Sequence, residues 1–238
     1  MSLFVTFEGP EGSGKTTQLR ALHQHLLSQG RPVYVTREPG GTRIGGLVRD
    51  ILLNPDHTEM QRATEILLFS AARAQLVGQE IRPRLQRGEI VLSDRYADST
   101  LAYQGYGLGL DLETLRTITR FATGGMLPDL TFYLDVPADV GLARKRGQDA
   151  AQWNRMEQRP LEYHQRVRAG YMEMAQADPR RWRILDTTQP FDQVQADIRV
   201  EVDRLLNSQN CTAEHAENAE NFIEPRRRKE REERRKHR

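Results

Sequence analysis

A run of eight residues near the N-terminus has the composition of a phosphate-binding loop. The segment Gly9-Pro-Glu-Gly-Ser-Gly-Lys-Thr16 matches G-x-x-x-x-G-K-[ST] at every fixed position. Backbone N–H groups in such a glycine-rich turn converge on phosphate oxygens, and the start of the helix that follows attracts anions. Lys15 is placed to reach the terminal phosphates, and the Thr16 hydroxyl is placed to ligate Mg²⁺. The segment therefore predicts a site for ATP or GTP.

A second polar cluster, Ser93-Asp94-Arg95-Tyr96, indicates what kind of triphosphate chemistry to expect. The carboxylate of Asp94 can hold the water shell of a metal ion. The adjacent Arg95 suits a second phosphorylated molecule better than a water molecule, because a guanidinium group matches phosphate oxygens in a forked geometry. The chain has no Asn-Lys-x-Asp motif for reading guanine, which argues against a GTPase. We therefore expect phosphoryl transfer between two phosphate-bearing ligands.

The elements that must position these residues follow an alternating strand–helix pattern. Short apolar runs rich in β-branched and aromatic residues predict strands, and longer periodic runs predict helices. Such alternation is typical of a mostly parallel sheet covered by helices on both faces. The predicted strands are residues 3–7, 32–36, 89–93, 130–136 and 182–186. The predicted helices are residues 15–28, 59–86, 112–123, 161–177 and 194–206.

The composition limits where the chain is expected to work. Its 238 residues are 37% hydrophobic and 29% charged, with a formal net charge of +2. No apolar run approaches the ~20 residues of a membrane-spanning helix, and the N-terminus lacks the features of a secretory signal. The single cysteine, Cys211, cannot form an internal disulfide. We expect a cytoplasmic protein without a membrane partner.

Composition also divides the chain near residue 207. Residues 1–207 are predicted to form one compact domain, in which the polar and poorly periodic residues of about 144–159 form a mobile lid. Residues 208–238 are predicted to be disordered. From Pro225 to Arg238, nine Lys or Arg and three Glu give a net charge of 9 − 3 = +6. This basic stretch lacks interleaved aromatic residues, so a nucleic-acid partner is not expected unless the tail itself supplies the contact.

Four separated segments carry a family resemblance. They are residues 7–17 around the phosphate loop, Thr-Arg-Glu-Pro-Gly-Gly-Thr at 36–42, Leu-Phe-Ser-Ala-Ala-Arg at 68–73, and Asp-Arg-Tyr-Ala-Asp-Ser-Thr-Leu-Ala-Tyr-Gln-Gly at 94–105. In this order and at this spacing they resemble the bacterial thymidylate kinase family over residues 2–206. The resemblance implies an α/β, three-layer P-loop NTPase fold with a five-stranded parallel sheet flanked by helices. It also implies phosphorylation of dTMP to dTDP with Mg-ATP, a step in dTTP synthesis, by a homodimer.

The resemblance assigns residues to the ATP end of the site. Mg²⁺ is expected on Thr16 and Asp94, directly or through water. The residues expected to bind ATP are Gly9, Pro10, Glu11, Gly12, Ser13, Gly14, Lys15, Thr16, Thr17 and Arg144. The residues expected to act in catalysis are Lys15, Arg95, Arg155, Glu11 and Asp94.

The resemblance also assigns the residues that hold the base and sugar of dTMP. Phe69 and Arg73, spaced i, i+4 on one helix face, are expected to stack on thymine and to donate to its O4. Gln104, or Ser99 at shorter reach, is expected to accept from the pyrimidine N3–H. Tyr103 is expected to pack where a 2′-hydroxyl would clash. On pattern alone, without the resemblance, Phe69 is more simply explained as an ordinary core residue.

The acceptor phosphate is assigned to two arginines. Arg49 and Arg95 are implied as its ligands, although Arg49 could equally lie on a solvated helix face. Glu11 is implied to approach the sugar 3′-hydroxyl and the waters of the metal. Glu38 is implied as a further partner of dTMP or the metal, with a capping role in the following turn as the alternative.

The cation of the transition state is expected from the lid. Some family members carry an arginine within the phosphate loop, where this chain has Glu-Gly-Ser at 11–13. The segment Asn154-Arg-Met-Glu157 resembles the family's Asp-Arg-x-Glu, with Asn154 in place of the acid. Arg155 is therefore the expected lid cation, whereas Lys145 and Arg146 are expected to be solvated.

Two alternatives stay open at the level of sequence. One is another P-loop kinase, acting on a different nucleoside monophosphate or on a deoxynucleoside. A deoxynucleoside acceptor has no phosphate, so it would make the paired phosphate-binding arginines superfluous. The other is an ATP-responsive binding protein that contacts nucleic acid through its basic tail.

Overall fold

Five parallel strands form the sheet of the computed structural model, which describes residues 2–148 and 155–208. The order across the sheet is β2-β3-β1-β4-β5. The central strand is buried along its whole length, which explains why it is an apolar run rather than an alternating one. The strands are β1 (Leu3–Glu8), β2 (Val33–Arg37), β3 (Ile90–Asp94), β4 (Leu130–Asp135) and β5 (Trp182–Asp186).

Helices connect the strands, and two of the helical stretches contain π-helical turns. The first π turn, Val77–Ile81, joins α3 to α4, and the second, Leu101–Gly107, continues α5. Such turns occur frequently at functional sites. The helices are α1 (Lys15–Ser28), α2 (Arg43–Leu53), α3 (Arg62–Leu76), α4 (Arg82–Gln86), α5 (Ala97–Thr100), α6 (Leu112–Thr123), α7 (Ala138–Gln148), α8 (Leu161–Ala177) and α9 (residues 191–208).

The predicted α/β architecture with five parallel strands is confirmed, and every strand lies within one residue of its predicted ends. The sequence pattern did not predict α2 at 43–53, and the other main difference is residues 97–107, for which it also predicted no helix. The glycines of this stretch serve packing: a Cβ on Gly107 would lie 2.6 Å from the Tyr163 ring in α8. The helix therefore depends on tertiary contacts that local propensity does not reveal. A second difference is α7, which extends into the segment predicted as a lid.

An aromatic cluster between the second π turn, α8 and the sheet supports one wall of the site. Tyr133 of β4 and Tyr171 of α8 stack with ring centroids 5.3 Å apart. Tyr103 meets Tyr171 edge to face at 6.2 Å. The cluster fixes Tyr103 and the π turn on which it lies.

The chain divides into a unit of residues 2–198 and a second unit that includes residues 199–208. Of the second unit, the structure describes the helical residues 199–208. The expectations for the tail from residue 209 onward, for Cys211 and for Asn154 lie outside the described residues. Within the described residues, no helix combines the length and apolar character needed to cross a membrane.

Candidate active site

The glycine-rich loop between β1 and α1 is shaped to receive an anion. Gly12 and Gly14 adopt φ of 69° and 87°, a left-handed conformation that favours glycine. The residue at the N-cap of α1 is Gly14, which has no side chain to cap the helix, and the first turn of α1 carries no acidic residue. The first N–H groups of α1 are therefore available to phosphate oxygens.

Lys15 folds back onto this loop. Its Nζ donates to Gly9 O at 3.1 Å and to Pro10 O at 2.8 Å. Burial and the neighbouring Arg95 lower the pKa of Lys15 to about 8, against the opposing effect of nearby carboxylates such as Glu11. An arriving phosphate would restore the preference for the charged amine and compete for its donors.

Thr16 and Asp94 meet where α1 begins and β3 ends. The Thr16 hydroxyl donates to Asp94 Oδ2. The described residues contain no group of three or more His, Cys, Asp or Glu side chains able to hold a metal. One hydroxyl and one carboxylate nevertheless fit Mg²⁺, which takes few protein ligands and completes its octahedron with phosphate oxygens and water.

Arg95 spans the space between the loop and the second π turn. Its Nη2 donates to Glu11 Oε1 at 2.6 Å and its Nη1 to Gly9 O at 3.0 Å. Tyr103 donates to the same Glu11 oxygen at 2.8 Å, and the guanidinium lies 4.8 Å from the Tyr103 ring centre. Although burial alone would raise it, Arg95, Lys15 and Tyr103 lower the pKa of Glu11 to about 2. Glu11 is therefore ionised, and it is paired with Arg95. Arg95 is also the cation expected to bind the acceptor phosphate.

A buried carboxylate that the sequence analysis did not single out lies beneath Arg95. Glu8, at the end of β1, accepts from Tyr96 N at 2.7 Å, Ser99 Oγ at 2.6 Å and Tyr171 OH at 2.7 Å. Burial, reinforced by Asp98, raises the pKa of Glu8 to about 7. The only signal in the sequence was an acid directly before the loop in an otherwise apolar strand. Because Ser99 is engaged here, the structure does not direct its hydroxyl to a base.

Arg73 and Glu38 form a buried ion pair on one wall. Arg73 is 1% exposed, and its Nε donates to Glu38 Oε2 at 2.7 Å. Its other nitrogens donate to Thr100 Oγ1 at 3.0 Å and Tyr96 O at 3.3 Å. Burial raises the pKa of Glu38 despite Arg73, and Glu38 Oε1 has no hydrogen bond within the described chain. The capping alternative for Glu38 is wrong, because within the described residues neither of its carboxylate oxygens accepts from a backbone N–H of the following turn. Thr42 Oγ1 caps α2 instead, by accepting from Gly45 N.

One cleft of about 990 Å³ contains both ends of the predicted site. The phosphate loop lines one part of it, and Phe69, Arg73 and Gln104 line another. Phe69 is only partly buried and faces this cleft, which argues against a purely structural core role. Gln104 is buried and donates its Nε2 to Glu65 Oε1 at 2.8 Å.

Two further arginines line the cleft near Asp94. Arg49 donates to Pro39 O at 2.9 Å and is partly buried, while Arg37, at the end of β2, is exposed. Burial and the nearness of Arg37 lower the pKa of Arg49. Within residues 2–148 and 155–208, neither arginine forms an ion pair with a carboxylate, so their charges favour an anionic ligand. Arg37 lies in the segment 36–42 that carries the family resemblance, but its sequence position alone indicates no role.

The predicted lid cations do not reach the phosphate loop. Arg155 pairs with Glu65 at 2.6 Å and donates to Leu52 O at 3.2 Å, and it is not among the residues lining the cleft. Arg144 donates to Thr187 O at 3.0 Å and is likewise absent from the lining. Lys145, which was expected to be solvated, lines the cleft instead.

Comparison with known proteins finds matches in one family. The family model "Thymidylate kinase" matches residues 7–198. The thymidylate kinase of Roseiflexus sp. (strain RS-1) is 59% identical over 218 residues, which cover 87% of this chain and 96% of that protein. The thymidylate kinase of Deinococcus radiodurans is 52% identical over 198 residues, covering 82% and 94%. A crystal structure of thymidylate kinase from Ehrlichia chaffeensis matches with a TM-score of 0.68 and 32% identity, covering 84% of this chain and 98% of that one.

Proposed function

We propose roles for the cleft residues from one premise: the chain belongs to the thymidylate kinase family, and it phosphorylates dTMP with ATP as co-substrate. The observation that carries the proposal is that the phosphate loop and the Phe69–Arg73 wall line the same cleft. The comparisons give no support to the alternatives of another acceptor or of a binding protein without kinase activity.

At the donor end, the loop and the start of α1 hold the triphosphate. Lys15 leaves its loop carbonyls and donates to the terminal phosphates. Thr16 and Asp94 hold Mg²⁺, directly or through water, and the ion offsets negative charge on the phosphate oxygens when bound. Pro10, Ser13 and Thr17 complete the loop around the triphosphate, and Arg144 contributes from α7 after it leaves Thr187 O.

At the acceptor end, Arg49 and Arg95 hold the phosphate of dTMP, with Arg37 beside them. A phosphate oxygen of dTMP attacks the γ-phosphorus, the bond from this phosphorus to the β–γ bridging oxygen breaks, and ADP leaves. Because the acceptor oxygen is already ionised, no strong general base is needed. The arginines act by position and charge, which dominate phosphoryl transfer.

Phe69, Arg73 and Gln104 hold the base. Phe69 offers a ring face to thymine, Arg73 donates to O4, and Gln104 accepts from N3–H. The Glu38 ion pair fixes Arg73 for this contact. Tyr103 and Glu11 lie toward the sugar, joined to each other at 2.8 Å.

We propose that residues of about 144–159 act as a lid that brings Arg155 to the transferring phosphoryl group. Because Arg155 is paired with Glu65 at 2.6 Å in the structure, this role requires a conformational step in which Arg155 leaves that partner. A cation supplied in this way stabilises the negative charge of the transition state.

We also propose that residues 1–207 carry the whole activity. The family model ends at residue 198, which supports this division. Deleting residues 208–238 should leave kcat and the KM values within about twofold, and a larger loss of activity would contradict it. Lost nucleic-acid binding with unchanged activity would make the tail an accessory segment.

A homodimer is the proposed assembly. Phe121 of α6 is 91% exposed and Leu67 of α3 is 58% exposed, and these two helices pack against each other. Apolar surface that extends over neighbouring elements marks an interaction site. Sedimentation should give twice the chain mass of 27.4 kDa, and Phe121→Asp should give the monomer. Sedimentation of the unaltered protein as a monomer would refute the proposal.

The function is tested by an ADP-release assay with Mg-ATP and dTMP, dUMP, CMP or thymidine as acceptor. We expect dTMP to be the best substrate and thymidine to be inactive, because thymidine has no phosphate for the arginines. Lys15→Ala serves as the inactive control, because it removes the amine that is proposed to bind the terminal phosphates of ATP. Preference for thymidine or CMP would overturn the assignment.

A further inference from the structure

A buried carboxylate that has no part in the proposed reaction lies on the same helix as Phe69 and Arg73 of the cleft wall. The Glu65 side chain, at the start of α3, is 2% exposed. Its Oε1 accepts from Gln104 Nε2 at 2.8 Å, and its Oε2 pairs with Arg155 at 2.6 Å. Arg159 lies 3.7 Å from the same Oε2. Both oxygens of Glu65 therefore face donors.

This arrangement determines how the Gln104 amide points. An amide has one donor end and one acceptor end, and nothing in its shape selects between its two orientations. An ionised carboxylate offers only acceptors, so a turned amide would set two oxygens against each other. The NH₂ group of Gln104 must face Glu65, and its carbonyl Oε1 must point away from Glu65.

We propose that Glu65 is a specificity-determining positioning residue, which makes Gln104 present a carbonyl oxygen to the pyrimidine. The inference rests on the proposed function, in which the base binds against Phe69, Arg73 and Gln104. Thymine and uracil carry a hydrogen-bond donor at N3, whereas N3 of cytosine is an acceptor. N3 of cytosine and Gln104 Oε1 would thus be two acceptors facing each other without a hydrogen bond. A buried polar group left unpaired in this way weakens binding, so the site would select strongly against cytosine.

A glutamine at position 65 would not impose this polarity. Its own amide could accept from Gln104 NH₂ or, turned over, donate to Gln104 Oε1. Gln104 could then offer its NH₂ group to N3 of cytosine. The substitution changes neither the length nor the shape of the side chain, so any change in base preference reports on polarity.

The experiment compares kcat/KM for dUMP and dCMP, which differ only at positions 3 and 4 of the ring. We expect Glu65→Gln to lower the dUMP/dCMP ratio at least tenfold. Gln104→Leu should lower the ratio as well, and adding Glu65→Gln to Gln104→Leu should change it no further. Arg155→Lys is the matched control: it keeps a cation beside Glu65 Oε2, and it should lower turnover with both nucleotides while leaving the ratio unchanged.

The outcomes separate this inference from the function on which it rests. An unaltered enzyme inactive on dTMP would overturn the proposed function. An active enzyme whose Glu65→Gln variant keeps its ratio, or whose two substitutions act additively, would overturn the role of Glu65 alone. If Glu65→Gln fails to fold, the unaltered protein crystallised with dTMP decides: Gln104 within hydrogen-bonding distance of both Glu65 and N3 supports the inference, and Gln104 released from Glu65 overturns it.

Discussion

Replacing Glu38 with glutamine should destabilise the protein, because it leaves the Arg73 cation buried without a counter-charge. The Glu38 and Arg73 side chains are 4% and 1% exposed, and their atoms approach to 2.7 Å. At an effective dielectric constant of about 20, this separation corresponds to an attraction of about 6 kcal/mol. Part of it is offset by the cost of removing both charges from water, and breaking one partner of such a pair costs about 3–5 kcal/mol.

The lower end of this range is the expected value for Glu38→Gln. The glutamine oxygen can still accept from Arg73 Nε, which retains about 1 kcal/mol. Burial also raises the pKa of Glu38, so the native carboxylate carries a desolvation cost that an amide avoids. We therefore expect the free energy of unfolding to fall by about 3 kcal/mol, which is roughly a 150-fold change in the folding equilibrium. The affinity for dTMP should fall as well, since Arg73 loses its anchor.

Urea unfolding at pH 7 measures the effect as a shift in midpoint at constant slope. The matched control is Glu113→Gln, which removes an exposed carboxylate 4.0 Å from Arg116 and should cost less than about 1 kcal/mol. If Glu38→Gln costs no more than this control, the reasoning that Arg73 depends on a buried counter-charge is refuted.

Three further changes probe other parts of the cleft. Arg155→Ala should lower kcat about 10³-fold with little effect on the KM for dTMP. Steady-state kinetics measure this effect. Normal turnover in a variant that is less stable would mean that Arg155 serves only as the ion-pair partner of Glu65. Phe69→Ala should raise the KM for dTMP about tenfold through lost stacking, and an equal rise in the KM for ATP would contradict a base-specific role. Because the pKa of Glu8 is raised from 4.5 to about 7, its stabilising contribution is complete below pH 4.5 and is lost as the pH rises through 7. The side chain of Glu8→Gln does not titrate, so between pH 5 and 8 its free energy of unfolding should rise relative to that of the unaltered protein, by a few kcal/mol at most. Melting temperatures of the two proteins that change in parallel across this range would contradict the raised pKa of Glu8.

Much of the fold and the ATP end of the site could be predicted because their signals are local. The phosphate loop is one continuous segment, and its function follows from the order of residues Gly9 to Thr16. The strands are short apolar runs bounded by polar turns, so their ends were predicted within one residue. Phe69 and Arg73 share a helix face by their spacing alone.

The rest depends on residues that are distant in the chain. Arg73 meets Glu38 across 35 positions, and Gln104 meets Glu65 across 39. No single segment of the sequence predicts such pairs, because the two side chains of each pair come together only in the folded structure. The helix at 97–107 was missed for a related reason, since its glycines are explained by the side chains packed against them.

A crystal structure of the protein with dTMP and ADP tests the arrangement of the cleft most directly. The thymine ring should stack on Phe69 with its O4 at Arg73, and the dTMP phosphate should lie between Arg49 and Arg95. The ADP phosphates should occupy the loop before α1, facing the dTMP phosphate. A thymine ring bound away from Phe69, or a dTMP phosphate outside the reach of both arginines, would contradict the account.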